Sequence, residues 1–185
     1  MIGIPYLLSS AACVLAARSI PVLYSGSHTG KIRDFFHEFF PKLHLDYLSD
    51  IMILAQIVLA VVISDITRVI QAMTIIQVMR VICAVTTVLP PLKHYKDKYR
   101  LGGLNGSGTE YIFSGHASYA ALTFLSLWEA GVPIQLLVFY NILSQMCIIL
   151  SRNHYTVDVV LAWIIAPLVY LNLSLRQRCG FPSYF

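Results

Sequence analysis

Repeated apolar runs, each near the length needed to cross a bilayer, decide what this chain can become. A hydrocarbon layer about 30 Å thick is spanned by about 20 helical residues. Runs of that kind fall at about 2–23, 47–64, 69–89, 111–128, 134–150 and 156–175, separated by short polar stretches. Backbone N–H and C=O groups find no water in hydrocarbon, so such runs must be helices. The expected fold is therefore all-α, a single polytopic membrane domain over 1–185 with six transmembrane helices. Composition agrees, since 57% of residues are hydrophobic and 12% charged, outside the balance of a soluble domain. The first run lacks a basic start and is followed by further spans, so it reads as a helix and not as a cleaved leader.

The polar remainder narrows the function classes. A net charge of +4, with Lys and Arg mostly in loops, forms no basic stripe interleaved with aromatics, which argues against a nucleic-acid partner. Cys13, Cys83 and Cys147 sit in apolar runs as small apolar side chains, and Cys179 beside Arg176 and Arg178 is a candidate for palmitoylation. No disulfide framework or metal-ligand spacing is visible. Between Tyr24 and Asp46, Phe35, Phe36, Phe39, Phe40 and Leu43 alternate with charged residues, as expected of a segment lying along the interface. The stretch Lys93 to Arg100 is basic, and the glycines from Gly102 to Gly108 suit a mobile flap and not a phosphate loop.

With six spans, the loops after the first, third and fifth share one face, and the residues suited to chemistry gather there. His116 lies in Phe113-Ser114-Gly115-His116 at the start of the fourth run, and His154 in Asn153-His154-Tyr155-Thr156-Val157-Asp158 entering the sixth. Asp158 stands four residues after His154, the spacing that puts two side chains on one helix face if the helix has begun. A carboxylate on one imidazole nitrogen leaves the other to act as a nucleophile toward phosphorus. A second histidine can protonate a departing alkoxide and later take a proton from an acceptor. A lone histidine is more often an interfacial side chain bonded to a carbonyl. Two at helix starts on one face, with an Asp at helical spacing and cations nearby, form a constellation.

These motifs resemble the type-2 phosphatidic acid phosphatase superfamily, and within it the sphingomyelin synthase branch. The resemblance is carried by Phe113-Ser114-Gly115-His116, by His154-Tyr155-Thr156-Val157-Asp158-Val159, and by Arg80 ten residues before Pro90 with Thr87 and Leu89 between. It covers most of the chain from about residue 30 and implies His154 as nucleophile, Asp158 as its orienting partner and His116 as acid and base. The chain departs from the branch where Gly108-Thr109-Glu110 replaces Cys-Gly-Asp, where Ala117 replaces Thr, and where Asn153 replaces Glu. Headgroup and acceptor choice ride on those positions.

Phosphate oxygens need cations or backbone donors in a partly dehydrated site. The candidate substrate-binding residues are Arg80, Ser114, Gly115, Glu110, Arg152 and Tyr155, with Arg100 as a further cation. Small Gly115 lets the backbone approach an oxyanion. Arg152 lies two residues before His154, closer than the phosphatases place their motif arginine, so that role is not transferred to it. Lys93 and Arg100 have the phosphatases' spacing but are followed by Leu101 and not Pro, and the basic cluster suits lipid headgroups.

The expected reaction moves a phospho-headgroup (phosphocholine or phosphoethanolamine) from a membrane phospholipid donor to a lipid alcohol acceptor, ceramide or diacylglycerol, through phosphohistidine. It needs no metal and no other cofactor. The alternatives are a lipid phosphate phosphatase or phospholipase C-type hydrolase with water as acceptor, and a non-enzymatic scaffold. The scaffold would be marked by loss of one of His116, His154 and Asp158, which are all present. The expected location is an endomembrane (Golgi or ER) or the plasma membrane. Loop charge would place the site in the cytoplasm. The resemblance implies the lumenal or exoplasmic face, the orientation adopted because headgroup binding gives an independent reason for cations there. The sequon Asn105-Gly106-Ser107 lies on that face.

Overall fold

Each apolar run that falls within the described residues folds as helix. The computed structural model describes residues 33–86 and 112–179, together with Ile4, Leu8 and Ala11, which are helical. The described helices are α1 (Phe35–Phe39), α2 (Asp46–Ile63), α3 (Ile66–Thr86), α4 (Gly115–Glu129), α5 (Ile134–Leu150) and α6 (Thr156–Arg178), with no strand among the described residues. The expected span 2–23 otherwise lies outside them, as do Glu110, Arg100, the basic loop and the sequon.

Helix ends follow local chemistry. α5 occupies the expected 134–150, and α6 begins at the expected 156 but continues to Arg178, with Pro167 inside it. α4 starts at Gly115 and not near 111, because Phe113 turns the chain at φ +28° and Ser114 caps the helix, its hydroxyl accepting from Ala117 N–H at 3.2 Å. α2, the segment Ile66–Cys83 of α3, and α6 are long and apolar enough to cross a membrane; α5 is a shorter apolar helix. At 15 residues, α4 is roughly 22 Å long.

The exterior is apolar, with Leu54, Val58 and Val62 of α2, Phe139 and Ile142 of α5, and Val160, Ile164 and Leu168 of α6 all exposed. Such a surface suits lipid and not water, and the protein is membrane-associated.

Helix α4 is the centre of the bundle and packs on α2, α3, α5 and α6. Gly115, Ala117, Ser118, Ala120 and Ala121 are buried, and small side chains let neighbouring backbones approach where lipid supplies no hydrophobic drive between helices. The core joins Val69, Ala72 and Ile76 of α3 to Ala117, Ala121 and Leu122 of α4 and to Val159, Ala162 and Tyr170 of α6. Polar ties cross it. Gln56 Nε2 donates to Ala120 O at 3.0 Å, and Tyr140 OH to Met52 O at 2.8 Å. Far from both histidines, Arg68 pairs with Glu129, stacks over Tyr170 and donates to Gln177 Oε1 at 2.9 Å; Tyr170 OH donates to Glu129 at 2.9 Å. This cluster ties α3, α4 and α6 together.

Candidate active site

The starts of α2, α4 and α6 and the ends of α3 and α5 meet at one end of the bundle. Ser114 N–H donates to Asp158 O at 3.1 Å, fastening the start of α4 to that of α6. Across this junction the rings of His116 and His154 lie 6.5 Å apart between centroids, inclined by 57°.

His154 Nδ1 stands 4.0 Å from Asp158 Oδ2, an ion-pair distance longer than a hydrogen bond. The i,i+4 relation expected from sequence therefore appears, but not on one helix face. α6 begins at Thr156, so His154 precedes it, and Asp158 folds back to accept Tyr155 N–H at 3.1 Å. That backward reach of an acidic residue in the first turn aims the carboxylate at the loop. Asp158 is 1% exposed, and its Oδ1 is buried without a hydrogen bond among the described residues. It can accept an imidazole N–H after a small rotation.

A second carboxylate, absent from the expected set, belongs to the site. Asp50, one turn into α2, places Oδ1 3.1 Å from His116 Nε2, with both side chains accessible at 40% and 37%. Each histidine thus has its own acid partner. The two arms differ in solvent access, the His116 arm being open and the His154 arm, at 13% and 1%, enclosed. An acidic residue inside an apolar run signals a partner or a function, which was the available sequence clue to Asp50; its partner, 66 positions away, was not visible.

Among the described residues, Arg80, near the end of α3, lies against the start of α4. A Cβ on Gly115 would meet its Nη1 at 2.6 Å, so the guanidinium lies directly against the glycine that precedes His116. Arg80 Nη1 donates to Gln77 Oε1 at 3.1 Å, and Gln77 Nε2 donates onward to Tyr119 OH. The chain Tyr119–Gln77–Arg80 holds a positive charge beside the first N–H groups of α4, where an anion is favoured.

The remaining candidates are placed differently. Arg152, at φ +56°, points its guanidinium at the carbonyls of His37, 2.9 Å, and Phe40, 3.5 Å. Tyr155 is buried, its ring 6.2 Å from that of His37, and burial pushes its phenol above the usual range. Glu110 lies outside the described residues. Two histidine–carboxylate pairs with an arginine on a helix N-terminus make a metal-free route to nucleophilic displacement at phosphorus chemically reasonable.

Residues 108–175 match the family model described as PAP2 superfamily, C-terminal. The matched stretch contains α4, α5, His116, His154 and Asp158; Arg80 and Asp50 lie outside it. No curated protein matches the chain.

Proposed function

We propose that the protein is a multi-pass membrane lipid phosphotransferase, moving a phospho-headgroup from a glycerophospholipid to a lipid alcohol such as ceramide. The observation that carries this is the pair of neighbouring imidazoles, ring centroids 6.5 Å apart, each with its own carboxylate. The family match supports the coarser class of phosphatase or phosphotransferase chemistry on lipid phosphates.

His154 attacks phosphorus with the nitrogen turned away from Asp158, and the bond to the diacylglycerol oxygen breaks. His116 supplies the proton that leaves with diacylglycerol. The acceptor hydroxyl then returns a proton to His116, its oxygen bonds to phosphorus, and the phosphorus–nitrogen bond breaks to free His154. Arg80 and the N–H groups opening α4 carry the charge on the non-bridging oxygens. Asp158 and Asp50 stabilise the imidazolium forms and fix ring orientation.

Six spans are proposed, with the site on the lumenal or exoplasmic face of an endomembrane or the plasma membrane. Impermeant labelling of a cysteine engineered into the loop 93–108 on oriented vesicles tests that orientation; reactivity only from the cytoplasmic side would reverse it.

For the reaction, purified protein is given labelled ceramide with phosphatidylcholine or phosphatidylethanolamine, and separately phosphatidic acid. Headgroup transfer to ceramide, abolished in His154→Ala, supports the proposal. Release of free phosphate or phosphocholine without transfer would replace it with a hydrolase, and full transfer by His154→Ala would overturn the nucleophile.

A further inference from the structure

The loop carrying His154 is held from both sides by a segment more than 100 residues away in sequence. Asp34, which caps α1 by accepting His37 N–H at 3.2 Å, also reaches α6. Its Oδ2 accepts Thr156 N–H at 2.6 Å and its Oδ1 accepts the Thr156 hydroxyl at 2.7 Å. Thr156 N–H is the first donor of α6, one that no intrahelical carbonyl can satisfy, and Tyr155 at the N-cap contributes no side-chain cap. Asp34 supplies that cap from outside the helix, with a negative charge where the helix dipole favours one. In the opposite direction, Arg152 crosses to the His37 and Phe40 carbonyls at the end of α1, at 2.9 and 3.5 Å.

We propose that Asp34 and Arg152 form a reciprocal clamp whose task is to position His154, which makes Asp34 a positioning residue for the nucleophile; this rests on the role given to His154 above. The anchors fall two residues before and two residues after His154, so the clamp removes freedom from the peptide planes that aim its ring. The left-handed backbone of Arg152, φ +56°, is an uncommon conformation for a side chain of that size, and it turns the guanidinium toward α1. Burial works against a charge on Asp34, but hydrogen bonds from the Thr156 amide and hydroxyl and from the His37 amide outweigh it and hold the carboxyl below its usual range. The clamp is thus built around a carboxylate. Arg152 is thereby engaged with protein carbonyls, which leaves Arg80 as the phosphate-facing cation among the described residues. On its other side, α1 exposes Phe35 and Phe39, so the clamp is mounted on a segment with an apolar face suited to the membrane interface.

The test uses the full chain in phospholipid nanodiscs, with phosphatidylcholine as donor and labelled ceramide as acceptor. Asp34→Asn weakens acceptance from both Thr156 donors, Thr156→Val deletes only the hydroxyl bond, and Thr156→Ser restores it. The expected result is a fall in kcat of about tenfold or more in Asp34→Asn and several-fold in Thr156→Val, with donor KM within about twofold, and recovery in Thr156→Ser. Acid-quenched phosphohistidine should form more slowly in the same order. Turnover within twofold of wild type in Asp34→Asn and Thr156→Val would overturn the clamp, as would losses matched entirely by a smaller active fraction in burst titration. Should Asp34→Asn not fold, Thr156→Val against Thr156→Ser decides. An inactive His154→Ala beside a normal Asp34→Asn refutes the clamp alone, whereas an active His154→Ala refutes the nucleophile on which the clamp rests.

Discussion

Adding one methyl group at Gly115 should separate activity from stability. In Gly115→Ala the new Cβ would lie 2.6 Å from Arg80 Nη1, 2.9 Å from Cζ and 3.2 Å from Nη2. Ordinary contact begins at 3.4 Å, so the guanidinium must retreat by 3.4 − 2.6, about 0.8 Å. The guanidinium ends a flexible side chain and can move, so the fold absorbs the change, but its charge would then miss the oxygens of the phosphate it is proposed to bind. Displacements near 1 Å cost catalysis about 100-fold, so a loss of roughly 10- to 100-fold in kcat is expected, about 1.4–2.8 kcal/mol of transition-state stabilisation. Stability should change little, because Gly115 is the first residue of α4, where the helix-interior advantage of alanine over glycine is only partly felt. Gly131→Ala is the counterpart: Gly131 sits at φ +92° with nothing near its absent Cβ, so alanine there costs about 1 kcal/mol or more in strain and leaves turnover alone. The assay pairs headgroup transfer with thermal unfolding in the same detergent. A Gly115→Ala protein within twofold of wild-type kcat would refute the placement of Arg80 as phosphate cation.

Four further outcomes follow from the geometry. Asp50→Asn keeps the shape of the His116 pair but removes its charge, and kcat for diacylglycerol release should fall at least tenfold with little change in KM, checked by steady-state kinetics. His116→Ala should lose turnover of natural donors but regain part of the first step with a nitrophenyl phosphodiester, whose leaving group needs no proton, as read by nitrophenol release. Because Asp34 is held below its usual range, its contribution is fully present above about pH 4 and is lost as pH falls through its lowered value; amide exchange at Thr156 should accelerate in strong acid, and Asp34→Asn should abolish that dependence. A histidine nucleophile with an arginine clamp requires no Lewis acid, so EDTA should leave turnover intact, and loss restored by a divalent ion would contradict the mechanism.

What could be read from sequence was whatever depends on neighbours along the chain. The apolar run 134–150 needs only its own hydropathy to be recognised, and α5 coincides with it. His116 and His154 stand out because each begins a run, and run order alone assigns them to one face. The pairing of His154 with Asp158 was expected from helix periodicity but arises from a capping interaction at an N-terminus, so the same spacing has a different physical cause. Pairings between distant elements left no periodic trace. Asp50 meets His116 across α2 and α4, and Asp34 meets Thr156 across 122 positions. Arg152 reads as a phosphate ligand because it is a cation two residues from His154; only the path of α1 shows its guanidinium on carbonyls.

The Arg68–Glu129–Tyr170 cluster lies at the opposite end of α4 from His116. Glu129 lies thirteen residues along the helix from His116, a rod of about 20 Å. Tilting such a rod by about 3° swings its far tip by about 1 Å, a displacement large enough to matter for catalysis. The cluster therefore fixes the end of α4 remote from His116. Its stiffness sets an angular tolerance for the aim of His116, so substitutions at Arg68 or Glu129 should broaden that aim without touching a single reacting atom.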